Sequence, residues 1–256
     1  MLRIFRTIRK KLLVENNFSK YLLYAVGEII LIVIGILIAL GINNWNQDRL
    51  AAKKERFYLE GLRTEFQRSK IKLENLIEVN RLNYEESQKI AAYLHSSEGS
   101  LSEDELSKLL FGAFSSEIAY NPNSSLLIEI LNSGGLEDIS NPVLRLHLTS
   151  WDSYIQSLHR QEAELREQRE KVLDIFRSDR GSIKTVMHGS GIAEEMELPQ
   201  TKELPSNLQL IRTREFENNL LLFILTGRST EISQYRPLLQ EIDSILVIID
   251  DELKDS

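Results

Sequence analysis

The hydrophobic pattern changes character along the chain. From Tyr21 to Ile42 it is an almost unbroken apolar run of 22 residues, "YLLYAVGEIILIVIGILIALGI", carrying one charge, Glu28. At about 1.5 Å per residue this run spans roughly 33 Å as a helix, enough to cross a bilayer core of about 30 Å. Tyr21 and Tyr24 at one end, and Trp45 just past the other, stand where amphipathic rings anchor at the two membrane interfaces. The pattern predicts a transmembrane helix over 21–43. After Trp45 no Pro or Gly appears until Gly61, and helix formers dominate to residue 95. One long helix over 44–95, continuous with the span, is predicted. Its inward stripe is Leu59, Leu62, Phe66, Leu73 and Leu76, with Gly61 a weak point costing about 1 kcal/mol against Ala.

Further along, Ser102 with Glu105 three residues later is a capping-box pattern that opens a helix over 103–114. A short helix over 124–132 follows Asn121-Pro122 and stops at Ser133-Gly134-Gly135, where glycine can take the left-handed conformation. Asn141-Pro142 then supplies cap and first position of the clearest helix. In it Leu144, Leu148, Trp151, Ile155, Leu158, Glu162, Leu165, Arg169, Val172 and Phe176 alternate spacings of four and three. That is a heptad seam. Glu162 and Arg169 interrupt it, either as a register-setting polar layer or where the bundle frays open. Residues 181–206 show no period and read as a long loop, functional or disordered. Helix 207–226 ends in "LLLFILTG", a run too short to cross a membrane and so expected to be buried core. Ser229 is expected to cap a last helix on Ile232, Tyr235, Leu239, Ile242, Leu246, Ile249 and Leu253, widened by Leu238, Ile245 and Ile248.

With no strand pattern or repeat, the predicted fold is all-α: a single N-terminal transmembrane helix continuing into an extracytoplasmic helical-bundle domain with long antiparallel helices. Charge orients it. Residues 1–20 carry six bases, Arg3, Arg6, Arg9, Lys10, Lys11 and Lys20, against Glu15, a balance of +5 that places the N-terminus in the cytoplasm and residues 44–256 outside it. As a helix this leader has an apolar stripe of Met1, Phe5, Ile8 and Leu12, so Arg3, Arg6, Arg9, Lys10 and Lys11 either lie on the lipid surface or only set topology. Ala39-Leu40-Gly41 offers the small-x-small pattern of a cleaved signal peptide, but the apolar run is longer than the usual 7 to 15 or so residues. Of the net charge of −7, removing the +5 of the leader and the −1 of Glu28 leaves −11 for residues 43–256. So acidic a domain makes a poor nucleic-acid binder. The chain has no cysteine, which excludes disulfides, thiolate metal sites and a cysteine nucleophile.

Candidate chemistry is sparse. Phosphate-cradling glycine loops, the zinc-protease motif and the nucleophile elbow are missing, and His188-Gly-Ser-Gly191 has no strand before it. His159 and Glu162 stand three apart, a spacing used by carboxylate-bridged metals in bundles, but such sites need further ligands on facing helices. The acidic end at Asp250, Asp251, Glu252 and Asp255 opposes the helix dipole and is expected to fray into solvent. No catalytic residue, metal or cofactor is expected. Glu28 is the most specific feature, because an ionisable group inside a membrane span defaults to a functional role. It lies about 6 Å beyond Tyr24 along the helix axis, close enough to the cytoplasmic rim for its carboxylate to snorkel. Around the helix Glu28, Leu31, Gly35 and Ala39 share one face, and Gly35-x-x-x-Ala39 is the small-residue spacing that permits close helix contact. A helix–helix interface, a snorkelling carboxylate and proton or ion coupling all remain open for this face.

"KYLLYAVGEIILIVIGILIALGINNWN", residues 20–46, resembles the opening of a family of uncharacterised single-pass membrane proteins of Bacteroidota with a basic leader. "LNSGGLEDISNPVLR", residues 131–145, is similar to a later segment of that family. The resemblance implies a bacterial inner-membrane protein with a periplasmic C-terminal domain, and it brings no activity with it. The expected role is a non-enzymatic scaffold subunit, a homo-oligomer or part of an envelope complex. The alternatives are an extracytoplasmic ligand-binding sensor signalling through the membrane helix to a partner, and a proton- or ion-coupled accessory subunit using Glu28.

Overall fold

The computed structural model describes residues 18–95, 101–199 and 203–255, and these are helical with no strand among them. The chain divides into two compact units, residues 1–56 and 57–256. Helix α1 (Phe18–His95) begins in the first and ends in the second. In the first unit it is long and apolar enough to cross a membrane, and its most apolar window is wholly exposed. Leucine and isoleucine on every side of the helix rule out an amphipathic face turned to a protein core. Arg3, Arg6, Arg9, Lys10 and Lys11 lie outside the described residues.

The second unit contains the later part of α1, then α2 (Glu103–Phe114), α3 (Ser125–Ser133) and α4 (Pro142–Arg177). After them come α5 (Ile183–Gly189), α6 (Ile192–Glu195), α7 (Arg214–Thr230) and α8 (Arg236–Asp255). The helix starts were strongly encoded. Ser102 and Glu105 form the complete capping box at α2, Asn141 accepts from the Val143 and Leu144 N–H groups at α4, and Gly134 closes α3 with φ of 76°.

Three long rods make the bundle. Arg63 pairs with Asp250 at 2.8 Å, Lys70 with Asp243 at 2.7 Å, and Asn80 donates to the Gly227 carbonyl at 2.9 Å, so numbers rise on α1 as they fall on α7 and α8. Asn141 reaches Glu252 at 2.6 Å, His147 meets Glu241 at 2.6 Å and Gln161 donates to Thr230 at 3.2 Å, which sets α4 against the same rod in the same sense. Thus α1 and α4 run parallel to each other, and the predicted antiparallel packing describes two of the three pairings. Phe66 and Trp151 meet edge to face between the parallel pair, with ring centroids 4.9 Å apart.

The α1 stripe Leu59, Leu62, Phe66 and Leu73 is buried as the periodicity predicts, each side chain contributing about 1.5–3 kcal/mol, while Leu76 is only partly covered. Past Ile77 the seam turns polar at Asn80, Asn83 and Ser87, all buried. Gly61 is also a contact point. A Cβ there would overlap Leu126 Cδ2, so glycine leaves room for that α3 side chain against α1.

Four expectations are corrected. Segment 181–206 is not a plain loop: α5 and α6 form within it, and the Asn207 side-chain amide holds the Ser182 backbone, accepting from its N–H at 2.9 Å and donating to its carbonyl at 3.0 Å. In "LLLFILTG" Leu220 and Phe223 are buried but Leu221, Leu222 and Leu225 face outward, because a helix can turn only part of a continuous apolar run inward. Ser229 caps nothing, since α7 continues through a π-helical turn (Glu231–Tyr235) into α8. The acidic end does not fray: the helix runs to Asp255, with Asp250 on Arg63 and Glu252 on Asn141.

Candidate functional site

The π turn joins two buried carboxylates. In the heptad-like seam of the third rod Phe216, Leu220, Phe223, Gly227 and Thr230 step by four and three, and the next buried seam position, Tyr235, is five residues on. The extra residue is the widened turn, in which the Arg236 N–H donates to the Glu231 carbonyl five residues back. It ends two residues before Pro237, which has no N–H for the Ser233 carbonyl and whose ring would crowd that carbonyl in a regular α turn.

Glu162 on α4 is 2% exposed, so the interruption in the α4 seam is a polar layer and not a frayed end. Its Oε1 accepts from the Tyr120 backbone N–H at 2.9 Å and from the Tyr235 hydroxyl at 3.0 Å. Both donors are neutral. Burial pushes the Glu162 carboxyl above its ordinary value, against the opposing pull of these two bonds and of His159 and Arg166. Burial likewise raises Tyr235 and Tyr120 well above the usual phenol range, with the Glu162 charge adding to it. Tyr120 also donates its hydroxyl to the Ser69 carbonyl at 3.0 Å, and His159 Nε2 stands 3.2 Å from the Tyr120 carbonyl. One residue of the α2–α3 connection is thereby tied to both α1 and α4.

Glu231, at the start of the π turn, is also 2% exposed, but its partners are charged. Arg81 donates to Oε1 at 2.5 Å, Arg236 to the same oxygen at 2.6 Å, and the Tyr84 hydroxyl to Oε2 at 2.9 Å. Burial alone would raise this carboxyl; the bonds from Arg81, Tyr84 and Arg236 together outweigh it and hold the carboxyl below its ordinary value.

Beside this layer lies a cleft of about 390 Å³, walled by the connection after α2 and by α4. Ile118 and Leu165 form its apolar floor, with Arg166, Arg169, Glu117 and Glu170 around them. Arg169 gives one guanidinium N–H to the Phe114 carbonyl at the end of α2 and another to Glu170 at 2.8 Å. Arg169 is thus the half-exposed member of the seam, turned to this cleft, and Gln168 takes the buried position beside it.

The residues singled out for the membrane face sit on α1 as expected from spacing. Leu31, Gly35 and Ala39 are exposed, Glu28 is half-buried, and a Cβ added at Gly35 would meet nothing within 4 Å. Trp45 is exposed; Tyr21 and Tyr24 fall within the helix, with side chains outside the described set. Apolar periodicity missed Glu231, Arg81 and Tyr84, because polar seam positions carry no apolar signal. Pro237 inside an apolar helical pattern, six residues after Glu231, was the available cue. The His159–Glu162 spacing gathers no metal cluster: no group of three or more His, Cys, Asp or Glu suited to a metal exists among the described residues.

Residues 28–183 match a family of unknown function, DUF6090. The chain belongs to that family. The DUF6090 span takes in Glu28, both arginines of the cleft, Arg81 and Glu162, and ends before α7, so Glu231 and Tyr235 lie beyond it. No curated protein and no solved structure matches the chain.

Proposed function

We propose that this DUF6090 protein is a non-enzymatic, membrane-anchored helical scaffold subunit of the bacterial inner membrane. It crosses the bilayer once through residues 21–43, keeps its basic leader in the cytoplasm and holds residues 44–256 on the periplasmic side. It works as a homo-oligomer or within an envelope complex. The observation that carries this reading is the exposed apolar stretch of α1, too extensive to face water and left for lipid or another helix to cover. Glu28, Leu31, Gly35 and Ala39 are the contact face, where open space at Gly35 admits a second backbone.

Reporter fusions at residue 1 and after residue 60 test the topology, and a cytoplasmic C-terminal reporter overturns it. Glu28→Gln with Gly35→Leu should lower the size of the detergent-extracted assembly; an unchanged size removes the interface. Proton or ion coupling would instead show as lost activity with the assembly intact. A second reading, an extracytoplasmic sensor that signals through the membrane helix to a partner, draws on the cleft beside Arg166 and Arg169.

A further inference from the structure

The cleft between the α2–α3 connection and α4 is neutral in total yet polar at its rim. Arg166 Nε stands 4.0 Å from Glu117 Oε1, the outer limit of an ion pair, and both side chains are more than half exposed. Deeper in, the charges are already matched: Glu170 takes Arg169 at 2.8 Å and Arg177 at 2.5 Å. Arg169 has five N–H donors and spends two, and its Nε–H has no acceptor among the described residues. The groups with capacity left at the rim are therefore one cation and one anion, Arg166 and Glu117, beside the apolar floor of Ile118 and Leu165.

We propose that this cleft binds a small zwitterion with an apolar side chain, a free α-amino acid. Its carboxylate takes the place of Glu117 on Arg166, its ammonium binds Glu117, and its aliphatic or aromatic group lies on Ile118 and Leu165. An α-amino acid carries opposite charges on adjacent positions, the arrangement that a neighbouring Arg and Glu complement. A simple anion or cation would leave one of the two rim charges uncompensated. The cleft volume falls in the range of small-molecule sites, about 300–1,000 Å³. The inference rests on the sensor reading for its biological meaning and names the ligand class that reading lacks; it is independent of the membrane topology.

The test uses the full chain in detergent micelles, with L-leucine, L-methionine and L-phenylalanine as probes by calorimetry and thermal shift. Each is compared with its amide, which lacks the carboxylate, and its N-acetyl form, which lacks the ammonium. The free amino acids should bind at least tenfold tighter than either blocked form. Arg166→Gln should abolish the preference over the amide, and Glu117→Gln the preference over the N-acetyl form. Both side chains are exposed, so neither change should alter the melting of the unliganded protein. Blocked forms that bind as well as the free ones overturn the zwitterion assignment while leaving a ligand-binding domain in place. Absence of binding by all nine compounds overturns the site itself.

Discussion

Glu162 and Glu231 are equally buried glutamates on two adjoining turns of the same bundle, yet the protein treats them in opposite ways. Glu231 receives two guanidinium groups and a phenol, so its negative charge is matched in place. Glu162 receives a backbone N–H and a phenol, both neutral, so its charge is solvated but not cancelled. Hydrogen bonds alone do not fully offset the loss of water around a carboxylate, whereas hydrogen bonds from cations do. One site shifts its carboxyl toward the ionised form, and the other toward the protonated form, relative to an ordinary glutamate.

The contrast makes the same substitution act with opposite sign. Glu231→Ala should have the largest effect, a loss of about 3 kcal/mol in urea unfolding, because Arg81 and Arg236 lose the carboxylate that gathers them. A loss under about 1 kcal/mol would mean that solvent matches these charges as well as the protein does. Glu231→Gln should cost about 2 kcal/mol at pH 7, since two ion pairs become hydrogen bonds to a neutral amide. Because the folded carboxyl sits low, its stabilisation is complete above the ordinary value near 4.5 and is lost as pH falls through the lowered one. The gap between wild type and Glu231→Gln should therefore close only in acid.

Tyr235→Phe should cost about 1–2 kcal/mol by leaving Glu162 with one donor, and more at pH 8 than at pH 5, where the carboxyl is closer to neutral. Glu162→Gln should have the smallest effect of the four and the reverse sign. An amide keeps the Oε1 acceptor for Tyr120 and Tyr235 without the charge, so the variant should match or exceed wild type by up to about 1 kcal/mol at pH 8. Here the folded carboxyl sits high. The stability of the protonated form is full below the ordinary value and is lost as pH rises through the raised one, so the variant's advantage should vanish on acidification. A variant clearly weaker than wild type at pH 8 would mean that the charge is matched after all.

The local grammar of this fold was open to reading because its signals are short. Ser102 with Glu105, Asn141-Pro142 and Gly134 each act within one turn of the residue concerned, and each acts as the spacing implies. The α4 seam was equally legible, including the position of Glu162, though its two donors come from 42 and 73 residues away. Polar seam positions were not. Asn80, Asn83 and Ser87 keep the periodicity of α1 without its hydrophobicity, so apolar counting passes over them. Helices α5 and α6 are too short, at 7 and 4 residues, to display a period.

In the last rod Tyr235, Ile242 and Ile249 are buried as expected, but the intervening buried positions are Leu238 and Ile245, with Leu239 and Leu246 only partly covered and Ile232 exposed. A spacing of three then four and one of four then three look alike in sequence when leucine or isoleucine occupies both options. Only the partner helices choose between them.

The π turn has a consequence for how the chain tolerates changes in its own length. Each residue advances an α-helix by about 100°, and the widened turn absorbs one residue, so losing one residue between Glu231 and Tyr235 would restore ordinary winding with Tyr235 still in step with Phe216, Leu220, Phe223, Gly227 and Thr230. Leu238, Ile242, Ile245 and Ile249 would still face the core, and Asp243 and Asp250 would still face Lys70 and Arg63. The turn thus gives the rod a place where its length can change: a one-residue deletion there costs the crowding at Pro237 but leaves α8 facing the core, whereas one in the regular winding of α8 turns every later position by about 100°.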